Sequence, residues 1–449
     1  MNISDHPNVL PPGPPLPGVL QTLAWGLRPV SFFEACRKRY GPTFTFHLYD
    51  GRPIVVISKA EDVKALLALG ADEFECGSQQ AEMLEPFLGT RTVLALDGVE
   101  HREERRRLQH AFRTERVDSY RDVVAEATLA DMQTWPAGTP FALHERTRAI
   151  ALEVILRAVF GAGEGPELDG LRRALVPFLA NGSLLILIPA VRRDLGSHSP
   201  WGRFIRQRAA VHREVLALVE RRRSRPELLG ARTDMLSALV QGTDDDSLVL
   251  DELMTLVLAG HDTTATGLAW AFDLLLHNPT VLERLRAELA AGDESYLDAV
   301  VQETLRLRPV VGEVPRAPLA PFAIGDGEVP AGTLVVASVY LAHTDPDRYP
   351  DPFAFRPERF LGAALDPATW LPFGGGVRRC LGAAFATLEM AEVLRAVVTH
   401  ADLQPRSPAL ERPKRRAVTL MPRHGTRAVL AAHNRPTLTR TSSLSRGAR

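Results

Sequence analysis

Cysteine is scarce in this chain: 449 residues carry only Cys36, Cys76 and Cys380. An odd, sparse set excludes a disulfide framework and suits a reducing cytosol. Cys36 lies in the amphipathic stretch from Phe32 to Tyr40 and reads as a packing residue. Cys76 has no histidine or cysteine at zinc-ligand spacing, and the sequence gives it no role. Long hydrophobic runs are also missing. The most apolar short run, Leu184 to Val191, falls far below the ~20 residues that cross a bilayer, and Pro189 interrupts it. Neither sign of charge dominates: 53 Lys and Arg meet 54 Asp and Glu for a formal net charge of −1. That balance argues against a general binder of nucleic acid or other polyanions. With 45% hydrophobic and 24% charged residues the chain is ordinary globular material.

Residues 1–18 read as an extended Pro-rich arm around Pro11-Pro12-Gly13-Pro14-Pro15. Ser31 to Tyr40 is a short helix. Thr43 to Leu48 and Ile54 to Ile57 are strands around the hairpin signal Tyr49-Asp50-Gly51-Arg52. Helical patterns dominate from Glu61 to Ala291. They include one long apolar-rich helix, Leu250 to His277, which Asn278-Pro279 stops. A further helix spans Glu294 to Arg308 and ends at Pro309, short strands follow near Thr333 to Val339, and a last helix reaches about His400. The tail 434–449 is rich in Ser, Thr and Arg without acids and is expected to be disordered. The pattern is mainly α with a minor antiparallel β part, with 19–433 as one domain.

The densest chemical signal is Phe373-Gly374-Gly375-Gly376-Val377-Arg378-Arg379-Cys380-Leu381-Gly382. It sets a cysteine at the end of a glycine-rich loop where an apolar helix begins. Glycines permit a tight turn and close approach to a flat ligand. Loop amides, the helix N-terminus and two arginines all favour a negative sulfur. A buried structural cysteine beside a turn is the plainer reading of the same residues. In the long helix, Ala259-Gly260-His261-Asp262-Thr263-Thr264 places a carboxylate beside a hydroxyl, a pair able to relay protons. Gly260 and two threonines are poor helix formers there, so the helix is expected to open locally. The other reading makes Asp262 the N-cap of a second helix. Glu303 and Arg306 form an i,i+3 pair, and His101 and Arg105 share a helix face at i,i+4 in a run whose default meaning is a solvated surface.

With Phe at Cys−7, Gly at Cys−4, Arg at Cys−2 and Gly at Cys+2, the loop resembles the haem-binding signature of the cytochrome P450 family. The other motifs follow in the family's order over roughly residues 10–430. The resemblance implies the single-domain P450 fold and haem b (iron protoporphyrin IX), with Cys380 as the proximal thiolate ligand to iron. It implies that Phe373, Gly376 and Gly382 shape the haem loop, and that His101, Arg105, Arg316 and Arg378 bind the propionates. Asp262 and Thr263 become the catalytic acid–alcohol pair that delivers protons during oxygen activation, while His261 points away into packing or a salt bridge. Glu303, Arg306 and Arg359 become a structural network that holds the segment before the loop. Departures are small: a richer glycine run at Gly374-Gly375-Gly376, and Thr344 where arginine is common.

The activity so implied is insertion of one oxygen atom from O2 into a lipophilic small molecule such as a fatty acid, terpenoid or steroid. Alternatives are a peroxide-driven peroxygenase, a non-catalytic haem-thiolate sensor and a structural metal site at Cys380. No flavin or iron–sulfur domain fits this length, so electrons are expected from a separate ferredoxin and ferredoxin reductase, docked on arginines near 102–113 with Arg379. By family position the pocket is lined from about Glu82 to Leu96, Phe178 to Ile188 and Met254 to Ala259, and near Val311 to Val314 and Val418. Arg91 and Arg193 could meet a carboxylate at its mouth or be plain surface residues, and Glu313 could pair with an arginine. Pro-Pro-Gly-Pro-Pro and the stretch Gln21 to Trp25 look like a bacterial branch associated with fatty-acid and terpene oxidation. The hinge stands here without the membrane anchor of microsomal members, so a cytoplasmic monomer is expected.

Overall fold

A computed structural model describes residues 10–433 except 110–117, 162–165, 188–191, 194, 226, 228–233 and 326. Helices α1 (Gly18–Leu27) and α2 (Pro29–Tyr40) precede the hairpin β1 (Thr43–His47) and β2 (Pro53–Ile57). Then come α3 (Ala60–Ala68), β3 (Phe74–Glu75), α4 (Gly77–Leu88), α5 (Gly98–Gln109), α6 (Arg121–Met132), β4 (Phe141–Ala142), α7 (Leu143–Phe160), α8 (Pro166–Leu187), α9 (Pro200–Arg223) and α10 (Met235–Gly242). The long helix α11 (Asp246–Leu276) leads to α12 (Pro279–Ala290) and α13 (Ser295–Leu307). The chain closes with β5 (Glu313–Pro318), β6 (Phe322–Ile324), β7 (Gly327–Val329), β8 (Leu334–Ser338), α14 (Val339–His343), α15 (Ala383–His400), β9 (Ala401–Pro405), β10 (Pro413–Arg416), β11 (Thr419–Pro422) and β12 (Arg427–His433).

The axis of the fold is α11, whose 31 residues span about 46 Å. Asp245 caps it, accepting from the amides of Ser247 and Leu248 at 3.0 and 3.2 Å. Most of its residues are buried, and α7, α9, α13, α15 and β11 pack around it. Trp270, fully buried on it, donates its indole N–H to the Leu420 carbonyl at 2.7 Å and so fixes the β10–β11 hairpin against the helix. At its end the Asn278 amide donates to the Leu274 carbonyl, and Pro279 starts the next helix.

The largest sheet runs β1-β2-β8-β5-β3. Its pairs are antiparallel except β2 with β8. Both faces are covered, and the period of two divides them: Val55 and Ile57 face a core with α3, whereas Ile54 and Val56 face Phe33, Phe44 and Phe46. A second sheet, β4-β12-β9, and two hairpins complete the β part. The main core lies among the helices around α11. Among the described residues no helix is long and apolar enough to cross a membrane.

Candidate functional site

The glycine-rich loop enters α15 with Gly382 as N-cap. The Cys380 amide donates to the Phe373 carbonyl at 2.9 Å, which closes the loop, and the Phe373 ring packs on Trp370. Gly374 and Gly376 have φ of +65° and +63°, the left-handed region that glycine adopts without strain. A Cβ on Gly376 would stand 2.1 Å from the Leu67 carbonyl oxygen, so this glycine lets the loop lie against the end of α3.

Cys380 is exposed by area, yet burial is the largest influence on its thiol. The two observations agree when the free space is enclosed within the molecule. Gly376 and Ala384 near it are exposed too, as is Ala259 midway along α11. Burial raises the Cys380 thiol above its ordinary value, while the Gly382 amide and the Arg379 and Arg105 guanidinia pull it down. A cation bonded to the sulfur would reverse the balance, because metal ligation holds a thiol deprotonated.

Around this space positive charge is in excess. Arg316 is buried: it lies over Phe74, donates to the Pro315 and Gly375 carbonyls at 2.7 and 3.2 Å, and stands 3.8 Å from the Cys76 sulfur. Burial lowers its pKa. Arg105 donates to the Arg379 carbonyl at 2.6 Å, tying α5 to the loop. Arg378 pairs with Asp97 and also donates to the Leu96 and Val93 carbonyls. His101 is pushed down to about 4 by burial and then by Arg378 and Arg105, so it is neutral at pH 7. Its Nδ1 is buried without a hydrogen-bond partner among the described residues. Three guanidinia beside one carboxylate leave two positive charges uncompensated. A flat dianion with an iron at its centre, which is haem, fits this donor set: the propionates meet the excess charge and the iron meets Cys380.

Asp97 escaped the sequence reading. It accepts from the Cys76, Gly77 and Ser78 amides at 2.9, 2.9 and 2.8 Å, at the start of α4. Burial raises its pKa, but those three amides and Arg378 outweigh that and hold it below its usual range. Only the pair Asp97-Gly98 before a charged helix hinted at it.

In the long helix, α11 runs unbroken through Gly260 to Thr264, so the expected local opening is absent and Asp262 does not cap a second helix. Thr263 instead donates its hydroxyl to the Ala259 carbonyl at 2.6 Å, satisfying both groups without a break. Gly260 serves packing: a Cβ there would stand 2.9 Å from Ile155 Cδ1 on α7. The Asp262 carboxylate turns toward Arg148 of α7 at 3.1 Å and Arg416 of β10 at 3.4 Å, two partners the sequence did not reveal. His261 is buried and bonds the Arg148 carbonyl.

Arg306 donates two hydrogen bonds to Glu303 at 2.6 and 2.8 Å with both side chains fully buried, and reaches the His343 and Pro352 carbonyls. Arg359 approaches Glu303 at 3.4 Å. Glu313 pairs with Arg415 at 2.6 Å, Arg91 pairs with Asp245 at 2.5 Å, and Arg193 is exposed. Of the expected pocket wall, Phe178 stacks on Phe204 in the core and Met254 is buried, whereas Ala259 and Val418 are exposed. The Glu82 side chain and Ile188 lie outside the described residues, as do 110–113 of the expected docking patch.

The family description Cytochrome P450 matches residues 10–427. The putative cytochrome P450 135B1 of Mycobacterium tuberculosis is 38% identical over 430 residues, 93% of this chain and 90% of the relative. The putative cytochrome P450 138 of the same organism is 36% identical over 428 residues, 94% of this chain and 96% of the relative. The retinoic-acid-bound cyanobacterial CYP120A1 superposes with a TM-score of 0.79 at 26% identity, covering 94% of this chain and 99% of that one. CYP175A1 from Thermus thermophilus gives 0.73 at 30% identity, covering 92% and 96%.

Proposed function

The chain belongs to the cytochrome P450 family and is a haem-thiolate monooxygenase; from that premise we propose that it hydroxylates a lipophilic small molecule, a fatty acid, terpenoid or steroid. In this reading it is a cytoplasmic monomer that holds haem b and takes electrons from a separate ferredoxin and its reductase. The observation that carries it is Cys380, set in enclosed space with the Gly382 amide and two guanidinia toward its sulfur. Bound haem supplies the oxygen activation, and a thiolate ligand favours O–O cleavage.

This chain's residues supply the rest. Cys380 holds the iron, with the Gly382 amide stabilising the thiolate charge. Arg105, Arg316, Arg378 and His101 hold the propionates, His101 through the unpartnered Nδ1. The loop from Phe373 to Gly382 keeps water from the sulfur. Thr263, its hydroxyl resting on the Ala259 carbonyl, presents an oxygen that can accept and pass a proton. Asp262, held by Arg148 and Arg416, would leave the arginines, take a proton from solvent and hand it to Thr263. Exposed Ala259 on α11 and exposed Val418 present apolar side chains, which favour a lipophilic substrate, and a solved relative carries retinoic acid, a lipophilic carboxylic acid.

The test is a titration of the ferric, haem-loaded protein with fatty acids, terpenoids and steroids, followed by haem absorption. The reading expects a low-to-high-spin shift with one class. No shift with any of the three overturns the substrate reading in favour of a bulkier or carrier-tethered compound.

A further inference from the structure

His343 ends α14, a five-residue helix buried along its whole length. Its ring is fully buried and both ring nitrogens are engaged. Nε2 stands 2.7 Å from the Leu371 amide nitrogen, and Nδ1 stands 2.9 Å from the Arg306 carbonyl oxygen. Those partners settle the tautomer. A backbone amide can only donate, so Nε2 is the bare nitrogen that accepts; a carbonyl can only accept, so Nδ1 carries the proton. The imidazole is therefore neutral. Burial, followed by the Arg306 guanidinium, pushes its pKa down to about 3, in agreement. Both bonds satisfy groups outside regular structure. The Arg306 carbonyl lies in the last turn of α13, beyond the reach of the helix ladder, and the Leu371 amide lies in the irregular segment before the glycine-rich loop. Arg306 returns the contact by donating to the His343 carbonyl at 2.7 Å, so α13 and α14 are locked in both directions.

The placement of Leu371 passes directly to the cysteine. Its side chain is fully buried, and Pro372 fixes the next backbone angle. Its carbonyl accepts from the Gly374 amide at 2.9 Å, and the Phe373 carbonyl accepts from the Cys380 amide at 2.9 Å. The two residues before it have their own anchors. The Tyr349 hydroxyl donates to the Thr369 carbonyl at 3.1 Å, and the Trp370 indole donates to the Gln302 carbonyl at 3.2 Å. The imidazole adds the hold nearest the loop, and it is the one that ties the loop to the Glu303–Arg306 pair. Resting on the reading of Cys380 as a haem ligand, we propose that His343 is a positioning residue for that thiolate, setting the loop by accepting the Leu371 amide at Nε2.

The test separates the two nitrogens in the full-length, haem-loaded protein. A glutamine oxygen lies as many bonds from Cα as Nε2 does, and an asparagine amide as many as Nδ1. His343→Gln therefore keeps an acceptor for Leu371, whereas His343→Asn keeps a donor for Arg306 and leaves the Leu371 amide buried without an acceptor. Both remove the ring, so a packing role alone predicts the same loss in each. The reduced, CO-bound His343→Gln protein is expected to keep the thiolate-type band of the wild type. His343→Asn is expected to lose most of it and to pass its haem to excess apomyoglobin at least about tenfold faster, the scale of one buried amide left unpaired. A wild-type band and haem release in His343→Asn, or equal loss in both variants, overturns the proposal. Should His343→Asn not fold, nitrogen NMR of the ferrous, CO-bound wild type decides, with the His343 signals assigned by their loss in His343→Gln. A neutral ring protonated on Nδ1 upholds the proposal, and one protonated on Nε2 overturns it. A wild type without a thiolate-type band overturns the reading of Cys380 and this proposal with it, whereas a normal wild type beside variants that match each other overturns the proposal alone.

Discussion

Two buried carboxyls, Glu252 on α11 and Glu104 on α5, show what single residues contribute beyond the haem loop. Glu252 accepts from the Val93 amide at 2.9 Å and is pushed up to about 8, first by burial and then by Glu104. Glu104, also raised by burial, is paired with Arg107 at 2.8 Å. In the unfolded chain a glutamate titrates near ~4.3. Between that pH and about 8 the folded state holds a proton that the unfolded state has released, so stability falls as pH rises through this window. Glu252→Gln keeps an acceptor for Val93 and removes the titration. Its unfolding free energy should match wild type near pH 4 and exceed it increasingly toward pH 8, by up to a few kcal/mol. A difference that stays constant across that range would contradict the assignment. The glutamates are ordinary in the sequence, because only the meeting of α5 and α11 turns them into neighbours.

At the scale of elements, the Glu303–Arg306 pair on α13 shows how a helix can set a loop far along the chain. Glu303 also accepts from the Arg356 amide at 2.9 Å, so one buried carboxylate orders the segment leading toward Cys380. Arg306→Ala leaves that carboxylate with only the more distant Arg359 and the Arg356 amide, a loss of about 3–5 kcal/mol in comparable buried pairs. The variant should retain little haem and unfold at lower temperature. A variant with full haem content and an unchanged midpoint would show that the clamp is not needed. Much of this was legible: the long helix, its Asn278-Pro279 stop, the clamp partners and the loop all carry their own local signals. Three features were not. α1 hides in the sequence because it starts at Gly18, directly behind the prolines that read as an extended arm. The unbroken course of α11 through Gly260 depends on Ile155 of a different helix. Arg148 and Arg416 reach Asp262 from elements 114 and 154 positions away, beyond any local pattern.

At the scale of the whole molecule, near-zero net charge coexists with strong local asymmetry. Cations collect around the proposed haem site, whereas α5 sets four arginines against three glutamates. On α5, Arg102 is paired with Asp72 at 2.8 Å and Arg107 with Glu104, which leaves exposed Arg106, with Arg379, as the candidate contact for an acidic ferredoxin. Charge reversal, Arg106→Glu, should slow reduction by the ferredoxin several-fold and flatten its dependence on salt. Unchanged rates at every ionic strength would remove Arg106 from the docking face. All of these arrangements serve one claim, that the Cys380 thiolate holds haem iron in the enclosed space between its loop and α11. The most direct measurement is the absorption spectrum of the reduced, CO-bound protein beside that of Cys380→Ser. The account predicts a thiolate-type band in the wild type and its loss in the variant. A thiolate-type band that survives in Cys380→Ser, or a folded, haem-supplied wild type without one, would contradict it.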